Sequence, residues 1–337
     1  MTETILPETD VVMSVRQLTK HFSVSADPAS PTAGLVRAVD EVSFDLRRGT
    51  TLGLVGETGS GKTTLARLIA GMEKPTSGEI VFPENSTRER TGRFHRLLNR
   101  RGGPDRPTIQ IVFQNSYSSL NRRHQVFDIL ARPLKNHRHV LDIALEEAAA
   151  ELLDEVGLGR GYLHRFPGDL TDGQCQRVAI AQALAVEPVI LILDEPTSSM
   201  DLPIQARILN LLLRLQDRRG LSYLFITHDL AVAQHVADDI LVMQNGRVVE
   251  SGSTEQVLSR PRHPFTRALI RAQPRFDDQP RPDQAQPDSR PTNGAGRPGD
   301  RSAGRQSADP TDLEVHPGVT DKVEDRTPGL GLLDDLP

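Results

Sequence analysis

The chain has 337 residues, 37% of them hydrophobic, and its 40 Lys and Arg against 45 Asp and Glu give a formal charge of −5. That balance gives no sign of a nucleic-acid partner, and no stretch approaches the roughly 20 apolar residues needed to cross a bilayer. The single cysteine, Cys175, excludes an intramolecular disulfide, and the acidic, polar start does not read as a secretory signal. A soluble cytoplasmic protein is expected, held at a membrane only through a partner.

Residues 1–10 read as a flexible N-terminus. Val11–Val24 and Val36–Arg47 alternate apolar and polar residues and predict antiparallel strands, with a Pro-, Ala- and Ser-rich loop at 25–34 between them. Thr51–Val55 predicts a buried strand, and Thr64–Ala70 a helix closed by Gly71. Between these two lies Gly56-Glu57-Thr58-Gly59-Ser60-Gly61-Lys62-Thr63, an uninterrupted G-x-x-x-x-G-K-[ST] phosphate loop in the strand–loop–helix setting the motif requires. Its glycines let successive N–H groups point inward, and the helix N-terminus adds partial positive charge. Lys62 is placed to reach the β- and γ-phosphates of a nucleotide and Thr63 to ligate Mg²⁺, with Thr64 completing the nucleotide-binding set.

Glu79–Phe82 predicts one more strand of the small sheet. The stretch 83–107, with Arg88, Arg90, Arg93, Arg96, Arg100 and Arg101, reads as a solvated surface insertion, since it lacks the interleaved aromatics of a nucleic-acid surface. Gln114 closes an apolar strand, where it can touch both a metal and a water. Residues 115–186 carry helical periodicity, most clearly at 142–156, and within them Leu170-Thr171-Asp172-Gly173-Gln174 precedes a predicted helix at Val178–Val186.

Pro188–Leu193 is a short β-branched apolar run, the pattern of a strand buried on both faces, and it ends in Asp194-Glu195. Asp194 can hold the water shell of Mg²⁺, and Glu195 can act as general base on an attacking water. Gln205–Arg218 predicts an amphipathic helix and Leu221–Ile226 a strand with His228 just past its end. After a helix at Ala231–Ala237, Asp239–Gln244 and Arg247–Glu250 predict a hairpin about Asn245-Gly246. Residues 276–337 are dominated by Pro, Asp, Arg, Gln, Gly and Ser and are expected to be disordered, because they cannot bury enough surface to offset chain entropy.

In order and spacing these motifs resemble the ATP-binding cassette (ABC) ATPases over roughly residues 11–275. The match runs from the phosphate loop through the Q-loop at Gln114, the signature at Leu170–Gln174, Walker B at Asp194-Glu195 and the D-loop from Ser198 to Asp201 to the switch histidine, His228. The resemblance implies an α/β fold: a RecA-like P-loop NTPase core, a small antiparallel β subdomain and an inserted helical subdomain at about 115–186. It implies ATP and Mg²⁺ as ligands and two cassettes that sandwich two ATP molecules. Glu195, His228 and Gln114 become catalytic, Thr63, Gln114 and Asp194 metal-binding, and Asp201 faces the partner's site. Phe22 falls where the family stacks an aromatic on adenine, with a half-buried strand Phe as the equal alternative.

Residues 112–121 and 261–269 are similar to those of oligopeptide, dipeptide and nickel importer ATPases. The implied partners are a second ABC ATPase subunit, two transmembrane permease subunits and, indirectly, an extracytoplasmic solute-binding protein, with the chain peripheral on the cytoplasmic face. The chain lacks the cysteines of the iron–sulfur extension that many peptide-importer ATPases carry. A soluble ABC-type ATPase outside any transporter is the alternative. One residue departs from the usual Leu-Ser-Gly-Gly-Gln signature: Asp172 puts a negative charge where a γ-phosphate is expected. At a few ångströms such a pair costs of order 1–4 kcal/mol unless screened, which suggests a heterodimer with unequal sites. Equally, Asp172 faces solvent and caps the following helix.

Overall fold

A computed structural model describes residues 11–24, 34–83, 108–114, 116–138 and 140–272. The expected flexible N-terminus at 1–10, the loop at 25–33, the Arg-rich insertion from 84 and the tail at 276–337 lie outside the described residues. Alternation builds the first sheet: β1 (Val11–Val24) and β2 (Gly34–Arg47) pair antiparallel. They bury Val12, Met13, Val15 and Leu18 from one strand and Val39, Val42 and Leu46 from the other. After β3 (Thr51–Val55) and α1 (Lys62–Ile69), the short β4 (Ser77–Val81) joins the free edge of β1, giving the order β2-β1-β4.

The second sheet is parallel for five of its six strands. It takes in β5 (Ile109–Val112), β6 (Ile190–Asp194), β7 (Ser222–Thr227), β8 (Asp239–Gln244) and β9 (Arg247–Ser253), in the order β5-β6-β7-β3-β8-β9, with only β9 antiparallel. Every residue of β3, β6 and β7 is buried, which explains their unbroken apolar runs: a strand covered on both faces has no side to give to water. Register then aligns their ends. Val112 pairs with Leu193, Asp194 with Ile226, and Val55 with Thr227. Gln114, Glu195, His228 and the phosphate loop therefore leave the sheet along one edge, at the carboxyl ends of its strands, where open α/β sheets bind ligands.

Between β5 and β6 the chain is helical: α2 (Ser116–Ser119), α3 (Val126–Arg138), α4 (Leu145–Glu155) and α5 (Asp172–Leu184). Leu130, Leu134, Leu152, Leu153, Val156, Ile180 and Leu184 meet in their core, each worth about 2 kcal/mol when fully buried. α6 (Leu202–Arg219) ends beside α4, where Arg219 donates from Nε and Nη2 to the two Glu155 carboxylate oxygens at 2.8 and 2.6 Å. α7 (Leu230–Val236), α8 (Thr254–Ser259) and α9 (Pro264–Ala272) complete the described chain.

Three helix starts at the predicted motifs differ from the sequence reading. α1 begins at Lys62 rather than Thr64, so the lysine of the phosphate loop belongs to the helix. α6 begins at Leu202 rather than Gln205, because Asp201 caps it by accepting from Ile204 N at 3.0 Å and Pro203 is tolerated in a first turn. The largest difference is at α5, which begins at Asp172 rather than Val178. Thr171 and Gln174 form a reciprocal capping box there, so most of the signature is the first turn of the helix it was expected to precede.

Candidate active site

The phosphate loop leaves β3 at Gly56 and enters α1 at Lys62 with no space for added side chains at either end. A Cβ on Gly61 would stand 2.0 Å from the Ala38 carbonyl oxygen, and one on Gly56 2.2 Å from that of Met243. Gly61 also adopts a φ of +104°, in the region that favours glycine. It is the N-cap of α1 and supplies no side-chain cap, so the first-turn amides keep their donors for a ligand.

Four loop carbonyls are bonded. Those of Gly56 and Glu57 accept from Lys62 Nζ, each at 2.8 Å, that of Ser60 from Gly246 N at 2.9 Å, and that of Gly61 from Leu65 N at 2.9 Å. Lys62 is buried, and desolvation pushes its pKa down while Glu195, Asp194 and Glu57 hold it up. The Ser60 hydroxyl is buried and has no hydrogen-bond partner. Glu57, Thr58, Gly59 and Thr63 are exposed and Thr64 is half-buried.

Thr63 Oγ1 donates to Asp194 Oδ1 at 3.3 Å, joining the loop to the end of β6. Burial pushes the Asp194 pKa up; the Thr63 hydrogen bond acts against this and the adjacent Glu195 carboxylate adds to it. Glu195 turns the chain with a φ of +48°, a conformation costing a non-glycine residue about 1–2 kcal/mol. Its amide donates to Ile226 O at 2.9 Å, and its Oε2 lies 3.1 Å from His228 Nδ1. Strain of this kind at the end of a central strand aims the carboxylate away from the sheet and toward the next strand's histidine.

Gln114 is drawn into the same group. Its Nε2 donates to Ser198 Oγ at 3.0 Å, and that hydroxyl donates to the Glu195 carbonyl at 3.3 Å. Residues foreseen as four separate motifs thus form one bonded set, Gln114–Ser198–Glu195–His228, beside the pair Thr63–Asp194.

The signature bonds are local. Thr171 Oγ1 accepts from Gln174 N at 3.4 Å and Gln174 Oε1 accepts from Thr171 N at 3.0 Å. Gln174 Nε2 donates to Tyr162 OH at 3.0 Å. Leu170 and Gly173 are buried; a Cβ on Gly173 would come 2.8 Å from Ile204 Cγ2. Asp172 is exposed in the first turn, where the positive end of a helix favours a carboxylate. The cap itself is Thr171, not Asp172. Phe22 lies in the outer sheet opposite Val36, 38% exposed, with the Lys20 ammonium 5.0 Å from its ring centroid. Neither the signature nor Phe22 joins the hydrogen-bonded set around the phosphate loop among the described residues.

Two contributors escape sequence reasoning. Asn245-Gly246 announces a hairpin, but nothing in that pattern shows that its turn will meet the phosphate loop. Tyr162 stands in a 3₁₀ turn at Arg160–Tyr162 with no periodicity to mark it; only folding brings its hydroxyl to Gln174.

A family model described as ABC transporter matches residues 39–198, and one described as the oligopeptide/dipeptide transporter C-terminal region matches residues 249–301. The dipeptide transport ATP-binding protein DppF of Haemophilus influenzae is 43% identical over 241 residues, covering 72% of each chain. Its namesake in Escherichia coli is 42% identical over 260 residues, 77% of this chain and 75% of that one. Among solved structures, a dimeric ATP-binding cassette in a post-hydrolysis state with ADP and Pi aligns with a TM-score of 0.58 at 26% identity, covering 72% of this chain and 98% of that chain. The cbiO1 protein of Clostridium perfringens, part of an ABC transporter complex, aligns with a TM-score of 0.58 at 27% identity, covering 74% and 92%.

Proposed function

Since the chain belongs to the ABC transporter family of ATP-binding subunits, we propose that it couples ATP hydrolysis to the uptake of peptides through membrane permeases. The ATPase activity goes with the family, and the fold is the P-loop NTPase of the ABC type that the matched cassettes have. Peptide as the solute is supported by the names of the relatives and by the C-terminal-region match. The observation that carries the reading is the approach of Glu195 to His228, 3.1 Å apart, on the sheet edge that also carries the phosphate loop.

The residues fit a nucleotide with a divalent cation. The buried, unpartnered Ser60 hydroxyl is a donor that a phosphate oxygen would satisfy, and the glycines keep the loop backbone open to close approach. Thr63, Asp194 and Gln114 offer oxygen ligands of the kind a hard cation takes. Among the described residues no group of three His, Cys, Asp or Glu could hold a metal by itself, which suits an ion that shares its coordination with substrate phosphates. Bound there, Mg²⁺ would neutralise phosphate charge.

Lys62 exchanges the Gly56 and Glu57 carbonyls for the β- and γ-phosphates. Glu195 accepts the proton of the attacking water, and His228 orients that carboxylate and bonds the γ-phosphate. Gln114 positions the water from the neighbouring strand end. The work is positioning and charge stabilisation, as in other phosphoryl transfers.

The partners in this reading are a second cassette, two transmembrane permeases and, beyond them, a solute-binding protein. In this reading the permeases supply the membrane span and the chain sits peripherally on the cytoplasmic face; among the described residues no helix is long and apolar enough to cross a membrane. Asp172 is exposed at the start of α5, the position that the solvent-facing reading expects; the second reading is a heterodimer in which the ATP facing this signature turns over slowly. Asp172→Gly should then raise turnover of the assembled complex; an unchanged rate would remove the asymmetry.

The test is purification from membranes in mild detergent with ATPase assays beside Glu195→Gln. Two permeases, a second cassette and Glu195-dependent turnover support the importer. Recovery with ribosomes or DNA-repair proteins would overturn it.

A further inference from the structure

The phosphate loop is braced from behind by an element outside its own motif. Gly246 N donates to Ser60 O at 2.9 Å, and Asp40 N donates to Gly246 O at 2.9 Å. The turn between β8 and β9 is therefore fixed between the loop and β2. Packing along this line is tight: a Cβ on Gly246 would stand 2.7 Å from Arg37 O, and Gly61 already abuts Ala38 O.

A charged pair closes the brace. Asp40 is 8% exposed, and its Oδ2 accepts from Arg247 Nε at 2.8 Å and Nη2 at 2.7 Å, with Arg37 Nη1 3.6 Å away. Arg247 adjoins Gly246 in sequence, so the bond that holds its guanidinium also holds the turn. The hydrogen bonds from Arg247 keep the Asp40 carboxyl below its usual range.

Of the four bonded loop carbonyls, two are held by Lys62, which must release them to reach a phosphate, and one by Leu65 of the helix the loop begins. Among the described residues only the bond to Ser60 O comes from another element, and nothing about nucleotide binding requires it to break. We propose that Asp40 and Arg247 are positioning residues for the nucleotide, clamping the Asn245-Gly246 turn and, through Gly246 N, the Ser60 peptide in the shape that presents the loop amides to phosphate. The inference rests on the reading of this loop as the ATP site. Arg247 is 57% exposed, and ion pairs so open to water add little to folding stability. The effect is one of geometry, since small displacements of a binding group weaken its action steeply.

The experiment measures steady-state ATP hydrolysis with Mg²⁺ and thermal melting for the full chain and for Arg247→Gln, Asp40→Asn and Arg247→Lys. Losing the clamp should raise KM for ATP about tenfold while changing kcat less than about twofold, the pattern of a contact used equally in ground and transition states. Arg247→Lys, which keeps the charge but not the two-nitrogen contact, should recover part of the loss. Amide hydrogen exchange over residues 56–64 should be faster in Arg247→Gln. An unchanged KM in Arg247→Gln overturns the proposal, and so does a rise in KM that tracks a fall in melting temperature across the three variants. A wild-type chain that neither binds nor hydrolyses ATP removes the site reading and the proposal with it.

Discussion

Gln114 and Ser198 are hydrogen-bonded, Nε2 to Oγ at 3.0 Å, and the same hydroxyl donates to the Glu195 carbonyl at 3.3 Å. The end of β5 is thereby tied to the backbone of the residue that holds a left-handed φ at the end of β6. A neutral bond of this kind contributes about 1 kcal/mol. If it serves to fix Glu195, Ser198→Ala should lower kcat about fivefold with ATP affinity retained, and Ser198→Thr should restore most of the rate. Steady-state turnover of the three proteins decides; equal rates would reduce the bond to an incidental contact.

Glu195 and His228 should behave as a unit. Glu195 has the proposed role of general base, whose loss usually costs 10²–10⁴-fold, so Glu195→Gln should cut kcat at least about 100-fold while leaving ATP binding in place. His228→Ala removes the group 3.1 Å from that carboxylate and should cut the rate about tenfold on its own. Groups in one contact are not additive, so the double variant should be no slower than Glu195→Gln alone. A product of the two single losses would show that the residues act independently.

The parts of this site that were legible in the sequence are those whose signal is local. Eight consecutive residues between an apolar strand and a helix mark the phosphate loop, and the run Pro188–Leu193 is too apolar for any place but a sheet interior. The start of α5 was not legible, for a physical reason. Gly173, Cys175, Gln176, Val178, Ala179, Ile180 and Ala181 are all buried, so the helix lacks the polar face that reveals a 3.6-residue period. Contacts between distant segments were hidden altogether. The bonds Gly246–Ser60 and Gln174–Tyr162 exist only once the chain has folded. Function, likewise, lies in residues arranged at a site, not in the architecture that carries them.

Asp194 gives a pH-dependent stability with a defined sign. Burial raises its folded-state pKa above the ordinary carboxylate value of 3.8, so at neutral pH the nucleotide-free protein bears the cost of a buried charge that the unfolded chain does not. Asp194→Asn should therefore melt higher at neutral pH without nucleotide or Mg²⁺, by a few degrees (roughly 2–4 °C per kcal/mol at this size). The gain should shrink as pH falls through the raised pKa and vanish below 3.8, where the carboxyl is neutral in both states. The variant should also lose ATPase activity. Melting curves from acid to neutral pH check the sign; a variant less stable at neutral pH would mean that Thr63 compensates the charge fully.

Two glycines of one loop should respond differently to the same methyl group. Gly59 has a φ of +83°, with open space at its Cβ position, so Gly59→Ala carries only the strain of a left-handed residue, about 1–2 kcal/mol. Gly61 has a φ of +104°, and its Cβ position lies 2.0 Å from the Ala38 carbonyl oxygen. That neighbour is backbone of β2, in the segment that also meets the β8–β9 turn, and it cannot swing aside as a side chain could. Gly61→Ala must displace the loop or the strand. It should destabilise at least about twice as much as Gly59→Ala and abolish nucleotide binding, because the amides of the α1 N-terminus move with the loop. Denaturant unfolding of both variants, read with fluorescent-nucleotide titration of Gly61→Ala, checks this; equal destabilisation would show that the contact with Ala38 relaxes freely.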